Sequence, residues 1–177
     1  MKFISYYTDK YKNEAAKLRQ SLESLNLNYH IAGIEDQGSW DANTHFKPIF
    51  IKQQIQSQPA VVWLDADCMV LDHPSLFYEL DCDVAFHRFK GKELLSGTVF
   101  FKNTAKTAEL LDKWIEINKQ NPEIFDQKNL DQALKSMSDI SIKELPPEYC
   151  FIFDLSKDYY LGVNPIIEHY QASRKFR

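Results

Sequence analysis

The run Val61-Val62-Trp63-Leu64-Asp65-Ala66-Asp67 constrains this chain more than any other segment. Four apolar residues, two of them β-branched and one aromatic, predict a buried strand. That strand leads straight into two carboxylates one residue apart. Side chains alternate along a strand, so Asp65 and Asp67 are expected on the same side. Open α/β sheets gather their ligands at the carboxyl ends of strands, where this pair is expected. Two like charges there repel unless a cation, an arginine or water intervenes. A hard divalent ion with oxygen ligands, Mg²⁺ or Mn²⁺, resolves the repulsion most simply and bridges readily to phosphates. The plainer alternative is a pair of solvated aspartates at a strand end.

The flanking pattern alternates strand and helix. Phe3 to Tyr7 reads as a strand, Asn13 to Leu25 as an amphipathic helix and Tyr29 to Ala32 as a second strand. A polar loop over Gly33 to Asn43 leads to a helix over Lys47 to Gln56, with Pro48 in its first turn. After the aspartates come a short helix over Ser75 to Glu79, a strand over Asp83 to Phe86, and a basic loop from His87 to Lys92. Leu94 to Asn103 reads as a glycine-bearing strand, Thr104 to Lys119 as a helix, Leu130 to Met137 as another, and Ile140 to Leu145 as a strand. The tail from Tyr149 is aromatic, with its cations gathered at the end. This alternation predicts a three-layer α/β fold with a mixed, mainly parallel sheet in one domain over 1–177, its later strands pairing antiparallel.

Composition narrows the function classes. Hydrophobic residues make up 44% of the 177 and aromatics 14%, so a packed core is expected. A net charge of −4 argues against a general nucleic-acid binder. There is no apolar run of membrane-spanning length, and the amino-terminal residues lack the apolar stretch of a signal peptide. The three cysteines, Cys68, Cys82 and Cys150, form neither a zinc pattern nor a disulfide framework. A soluble, cytoplasmic protein with reduced thiols is the expectation.

Trp63-Leu64-Asp65-Ala66-Asp67 resembles the Asp-x-Asp motif of nucleotide-sugar-dependent glycosyltransferases of the GT-A fold. Three further segments resemble the same family in the same order. They are Lys47-Pro48-x-Phe50-Ile51, Leu95 to Asn103 around Ser96-Gly97-Thr98, and Phe125-Asp126-Gln127-x-x-Leu130-x-x-Ala133-Leu134. The terminal Glu168-His169-Tyr170-Gln171-Ala172-Ser173-Arg174-Lys175 is similar to the histidine segment that completes the family's metal site.

The resemblance implies a metal-dependent enzyme that moves a sugar from a nucleotide-diphosphate donor, most simply a UDP-sugar, to a hydroxyl acceptor. A departing nucleoside diphosphate gathers negative charge, so cations must be placed around it beforehand. By resemblance Asp67 ligates Mn²⁺ or Mg²⁺ directly, Asp65 binds the ribose or the metal through water, and His169 supplies the remaining ligand. Tyr7 and Thr8 would meet the base, Lys47 the nucleotide or phosphate, and Gly97 the donor sugar. Ser173, Arg174 and Lys175 would close over the diphosphate, and Arg88 would touch donor or acceptor. Asp126 and Gln127 would act at the sugar or the acceptor hydroxyl. Plainer roles compete: packing for Tyr7, a bend for Gly97, solvent for Lys47 and the terminal cations, and a helix N-cap for Asp126. The chain is short for this fold, so a second copy or a partner protein is expected to complete the acceptor side. Two other functions compete: a non-catalytic nucleotide-sugar-binding or assembly module, and an Asp-x-Asp phosphohydrolase, which would carry its aspartate nucleophile on the first strand.

Overall fold

The computed structural model of the chain describes residues 1–176, with side chains through Arg174. The elements in chain order are β1 (Lys2–Tyr7), α1 (Lys12–Ser24), β2 (Tyr29–Gly33), α2 (Trp40–His45), α3 (Lys47–Ile55), β3 (Ala60–Leu64), β4 (Cys68–Val70), β5 (Val84–Phe89) and β6 (Glu93–Lys102). They continue as α4 (Ala105–Gln120), α5 (Asp126–Lys135), β7 (Ile142–Glu144), β8 (Phe151–Ile152), α6 (Leu155–Tyr159), β9 (Ile167–His169) and α7 (Ser173–Phe176). Single 3₁₀ turns cover Asp9–Tyr11, Ser75–Tyr78 and Pro147–Tyr149.

Six strands form the central sheet in the order β2-β1-β3-β6-β5-β7. The pairs β1–β2, β1–β3 and β5–β7 are parallel, and β6 runs antiparallel to both neighbours. The expected mixed, mainly parallel sheet is therefore present. Alternation along its strands divides the core in two. Ile4, Tyr6, Val61, Trp63, Val99 and Phe101 face α3, α4 and α5. Phe3, Val62, Leu64, Ala85 and Phe100 face Leu18 and Leu22 of α1 together with the small sheet. With both faces covered, the strands read as continuous apolar runs, as Val61 to Leu64 does.

The small sheet has the order β4-β9-β8, and it decides where the chemistry goes. Antiparallel pairing sets Cys68 opposite His169, one residue past Asp67. Parallel pairing then sets Ile152 beside His169.

Three expectations need correction. Residues 40–43, placed in the polar loop, belong to α2, capped by the Ser39 hydroxyl accepting from the Ala42 amide. The basic loop is shorter than expected, since β5 runs on to Phe89 and turns tightly through Lys90 and Gly91 into β6, with a bulge between Phe86 and His87. Asp65 and Asp67 do not lie on a strand: β3 ends at Leu64, and a turn carries Asp65 to Asp67, closed by the Cys68 amide donating to the Asp65 carbonyl at 3.2 Å. No described helix is long and apolar enough to cross a membrane.

Candidate active site

At the carboxyl ends of β1 and β3 lies a cavity of about 380 Å³, within the range that takes a small ligand. Its lining includes Tyr7 and Thr8, Asp65, Asp67 and His169, and Asp126 and Gln127. Ligand atoms of Asp65, Asp67 and His169 lie within 4.8 Å of one another. The turn after β3 supplies the two aspartates, and the β4–β9 register supplies the histidine from 102 residues further along the chain.

Each of the three is held by a neighbour. The Asp67 Oδ2 accepts from the Ala172 amide at 2.7 Å, and the Tyr170 amide donates to the Asp67 carbonyl at 3.0 Å, so the terminal segment is tied to the turn. Burial, with Asp65 alongside, pushes the Asp67 carboxyl up to about 6. His169 Nε2 shares a hydrogen with the Thr98 hydroxyl at 2.8 Å, leaving Nδ1 for another partner. Burial holds the imidazole pKa down at about 4, so it is neutral near pH 7 and one of its ring nitrogens carries a lone pair. Asp65 Oδ1 accepts from Trp63 Nε1 at 2.8 Å and pairs with Lys47 at 3.1 Å. Among the described residues nothing donates to its Oδ2. Carboxylate oxygens with a neutral imidazole suit a divalent ion of the first transition series or Mg²⁺.

Lys47 does not face solvent. It is 3% exposed, and its ammonium sits between Asp65 and Asp126, 2.8 Å from Asp126 Oδ2 and 3.3 Å from the Ser96 hydroxyl. The Trp63 ring centroid is 5.2 Å away. Burial alone would lower its pKa, but the two carboxylates outweigh that and raise it, so the charge is permanent. Asp126 is 4% exposed and is the first residue of α5. Its side chain makes no cap to that helix and turns to Lys47 instead. Gln127 Oε1 accepts from the Ser96 amide at 3.2 Å, and its Nε2 donates to Glu93 at 3.0 Å.

The other expected residues divide. Tyr7, Thr8, Gly97 and Ser173 all line the cavity. Gly97 lies directly against the His169 ring. Arg88 is not among the lining residues; it pairs with Asp131 at 2.9 Å and stacks over Phe86. Arg174 pairs with Asp154. The Lys175 side chain lies outside the described residues. Thr98, Trp63 and Glu93 were missed as site residues. Trp63 stands two residues before Asp65, close enough in sequence for its indole Nε1 to donate to Asp65 Oδ1 across the end of β3. Thr98 belongs to the Ser96-Gly97-Thr98 segment but shows its role only once His169 is beside it.

Several solved structures share this fold at low identity. A glycosyltransferase involved in glycosylation of the major capsid of PBCV-1 aligns with TM-score 0.76 at 14% identity, over 96% of this chain and 92% of the other. The apo form of GlyE from Streptococcus pneumoniae TIGR4 aligns with TM-score 0.70 at 17% identity; the chain, covered to 96%, spans about half (54%) of GlyE. The galactosyltransferase LgtC, solved with donor and acceptor sugar analogs, aligns with TM-score 0.65 at 12% identity, over 97% and 87%. No curated protein matches in sequence. The nucleotide-diphospho-sugar transferase family model matches residues 52–172, a span from α3 through the turn of Asp65 and Asp67 to His169 and Ala172. The chain belongs to that family, a family of glycosyltransferases built on the GT-A fold.

Proposed function

We propose that this protein is a metal-dependent glycosyltransferase taking its sugar from a UDP-sugar and delivering it to a saccharide hydroxyl. One observation carries the reading: two carboxylates and a neutral imidazole converge in the lining of a ligand-sized cavity in a chain of this family. In this reading Asp65, Asp67 and His169 hold Mn²⁺ or Mg²⁺, which when bound supplies positive charge against the leaving diphosphate. Tyr7 and Thr8 receive the base, and Ser173 lies toward the diphosphate. Asp126 and Gln127 meet the donor sugar. The charge of Lys47 is spent on Asp65 and Asp126, which makes it a positioning residue that keeps both carboxylates ionised and aimed into the cavity. Residues 1–177 act as one domain, and three buried free cysteines suit the reducing cytoplasm.

Titration calorimetry with UDP and GDP, in Mn²⁺ and in EDTA, tests this reading. UDP binding that needs Mn²⁺ and disappears in Asp67→Ala is expected. Binding of neither nucleotide, or equal binding in EDTA, overturns it. A nucleotide-sugar-binding module without turnover would share the donor site, and release of free UDP from UDP-sugars separates the two.

A further inference from the structure

A second cleft, about 450 Å³, adjoins the cavity and shares Glu93 and Gln127 with it. Glu93 and Gln127, joined by the hydrogen bond from Gln127 Nε2 to Glu93 Oε1, thus form a partition that borders both spaces. The remaining lining is Lys92, Leu94, Lys128, Asp131, Gln132 and Lys135, from the start of β6 and the outer face of α5.

Charge in this cleft is the reverse of the chain's. The whole chain carries −4, yet three lysines line the cleft against two carboxylates, and both carboxylates are engaged. Asp131 is paired by Arg88 at 2.9 Å and by Lys135 at 2.6 Å. Burial alone would raise its pKa, but those cations outweigh it and hold its carboxyl below the ordinary range, so its charge is fixed and answered. Glu93 accepts from Gln127. Lys92 and Lys128 have no carboxylate partner among the described residues; Lys128 rests 5.9 Å from the Phe125 ring centroid. Two lysines without a carboxylate partner among the described residues therefore line a space of monosaccharide size or larger.

Position adds to charge. A nucleotide-sugar that filled the main cavity, with its base at Tyr7 and Thr8 and its sugar at Asp126 and Gln127, would set that sugar next to the space beyond Gln127. We infer that the Lys92–Lys128 cleft is an acceptor subsite for a saccharide bearing an anionic group, a carboxylate or a phosphate, whose hydroxyl enters the reaction past the Glu93–Gln127 partition. This inference rests on the glycosyltransferase reading for its direction of attack, but the cleft's preference for anionic sugars stands or falls by itself. Ammonium groups give charge-assisted hydrogen bonds to carboxylate or phosphate, and Gln132 offers a neutral partner to sugar hydroxyls.

The test is an amide-resolved NMR titration of the full chain with glucuronate, with galactose 6-phosphate, with neutral galactose and with inorganic phosphate. The expected result is movement of the 92–94 and 127–135 amides at about tenfold lower concentration of an anionic sugar than of galactose or phosphate. Which of the two anionic sugars binds more tightly tells a carboxylate acceptor from a phosphate one. Lys92→Ala with Lys128→Ala should abolish that preference while calorimetric UDP binding in Mn²⁺ stays as in the unaltered chain. Phosphate binding as tightly as both sugars, or no preference for anionic sugars, overturns the subsite. Loss of UDP binding in the unaltered chain would instead overturn the donor reading, which the sugar titration does not touch.

Discussion

Gly97 and His169 lie so close that a Cβ on the glycine would stand 2.8 Å from the imidazole Cε1 and 2.9 Å from Nδ1. Real side chains do not tolerate that approach, so the glycine keeps open the space in which the histidine lies. The glycine expected to admit a donor sugar therefore also admits a candidate metal ligand. The antiparallel β6 delivers Gly97 and Thr98 to one edge of the ring, while β9 delivers the ring itself.

Gly97→Ala should push the imidazole away from the two aspartates while leaving the fold intact. The expected effect is a loss of roughly 10- to 100-fold in Mn²⁺ affinity, the scale seen when groups that orient a ligand are altered. Calorimetry with Mn²⁺ alone measures it, and circular dichroism checks the fold. Unchanged Mn²⁺ affinity would show that His169 has no part in cation binding.

Thr98→Val keeps the shape of the side chain and removes the hydroxyl that meets His169 Nε2 at 2.8 Å. The ring then loses the contact that fixes its orientation, so cation affinity should fall by about tenfold. The His169 ring resonances should broaden or shift in the same variant. Leaving a buried nitrogen without a partner should also cost about 1–3 kcal/mol in stability, read from urea unfolding.

What the sequence made legible, and what it hid, follows from range. The β3 strand, the helices α1, α3 and α4, and the parallel order of the first strands are written in local periodicity, which a reader can count. Asp65, Asp67 and His169 were recognisable as residue types in family-like segments. Lys47 was recognisable in the same way, but its burial was not, because a buried ammonium needs partners from β3, β6 and α5, and no local pattern announces them. Asp126 misled for the same reason: its place at a helix start suggests a cap, while its partner lies 79 residues away. The extension of β5 to Phe89 was hidden by its polar residues, His87 and Arg88. His87 is buried by contacts to the Leu145 carbonyl and the Tyr160 hydroxyl, which again come from afar.

Cation affinity should fall with acid in a window set by Asp67. Its carboxyl is raised to about 6 by burial and by Asp65, and a cation needs it ionised. Below about pH 6 each unit of acid should therefore weaken Mn²⁺ by about tenfold, as one proton must leave for each ion bound. The sign for the metal-free chain is opposite. A carboxyl whose folded pKa exceeds its unfolded value of 3.8 binds its proton more tightly when folded. Its contribution to stability is then greatest below about pH 4 and declines as pH rises through 6. The rise in melting temperature caused by Mn²⁺ should accordingly be small at pH 5 and large at pH 7.5. An equal rise at both would remove Asp67 from the ligand set.

Lys47→Met should be among the most destabilising single changes in the chain. The methionine fills a similar volume, so the loss is electrostatic: Asp126 is left buried at 4% exposure without its cation, and Asp65 loses one of two partners. Removing one side of a buried ion pair costs about 3–5 kcal/mol, mostly through the stranded charge. Urea unfolding measures that cost. If the stranded charge is the cause, adding Asp126→Asn to Lys47→Met should recover much of the loss, because the buried group is then neutral. A double variant as unstable as the sum of the two single ones would mean that packing against Trp63, and not charge, holds Lys47 in place.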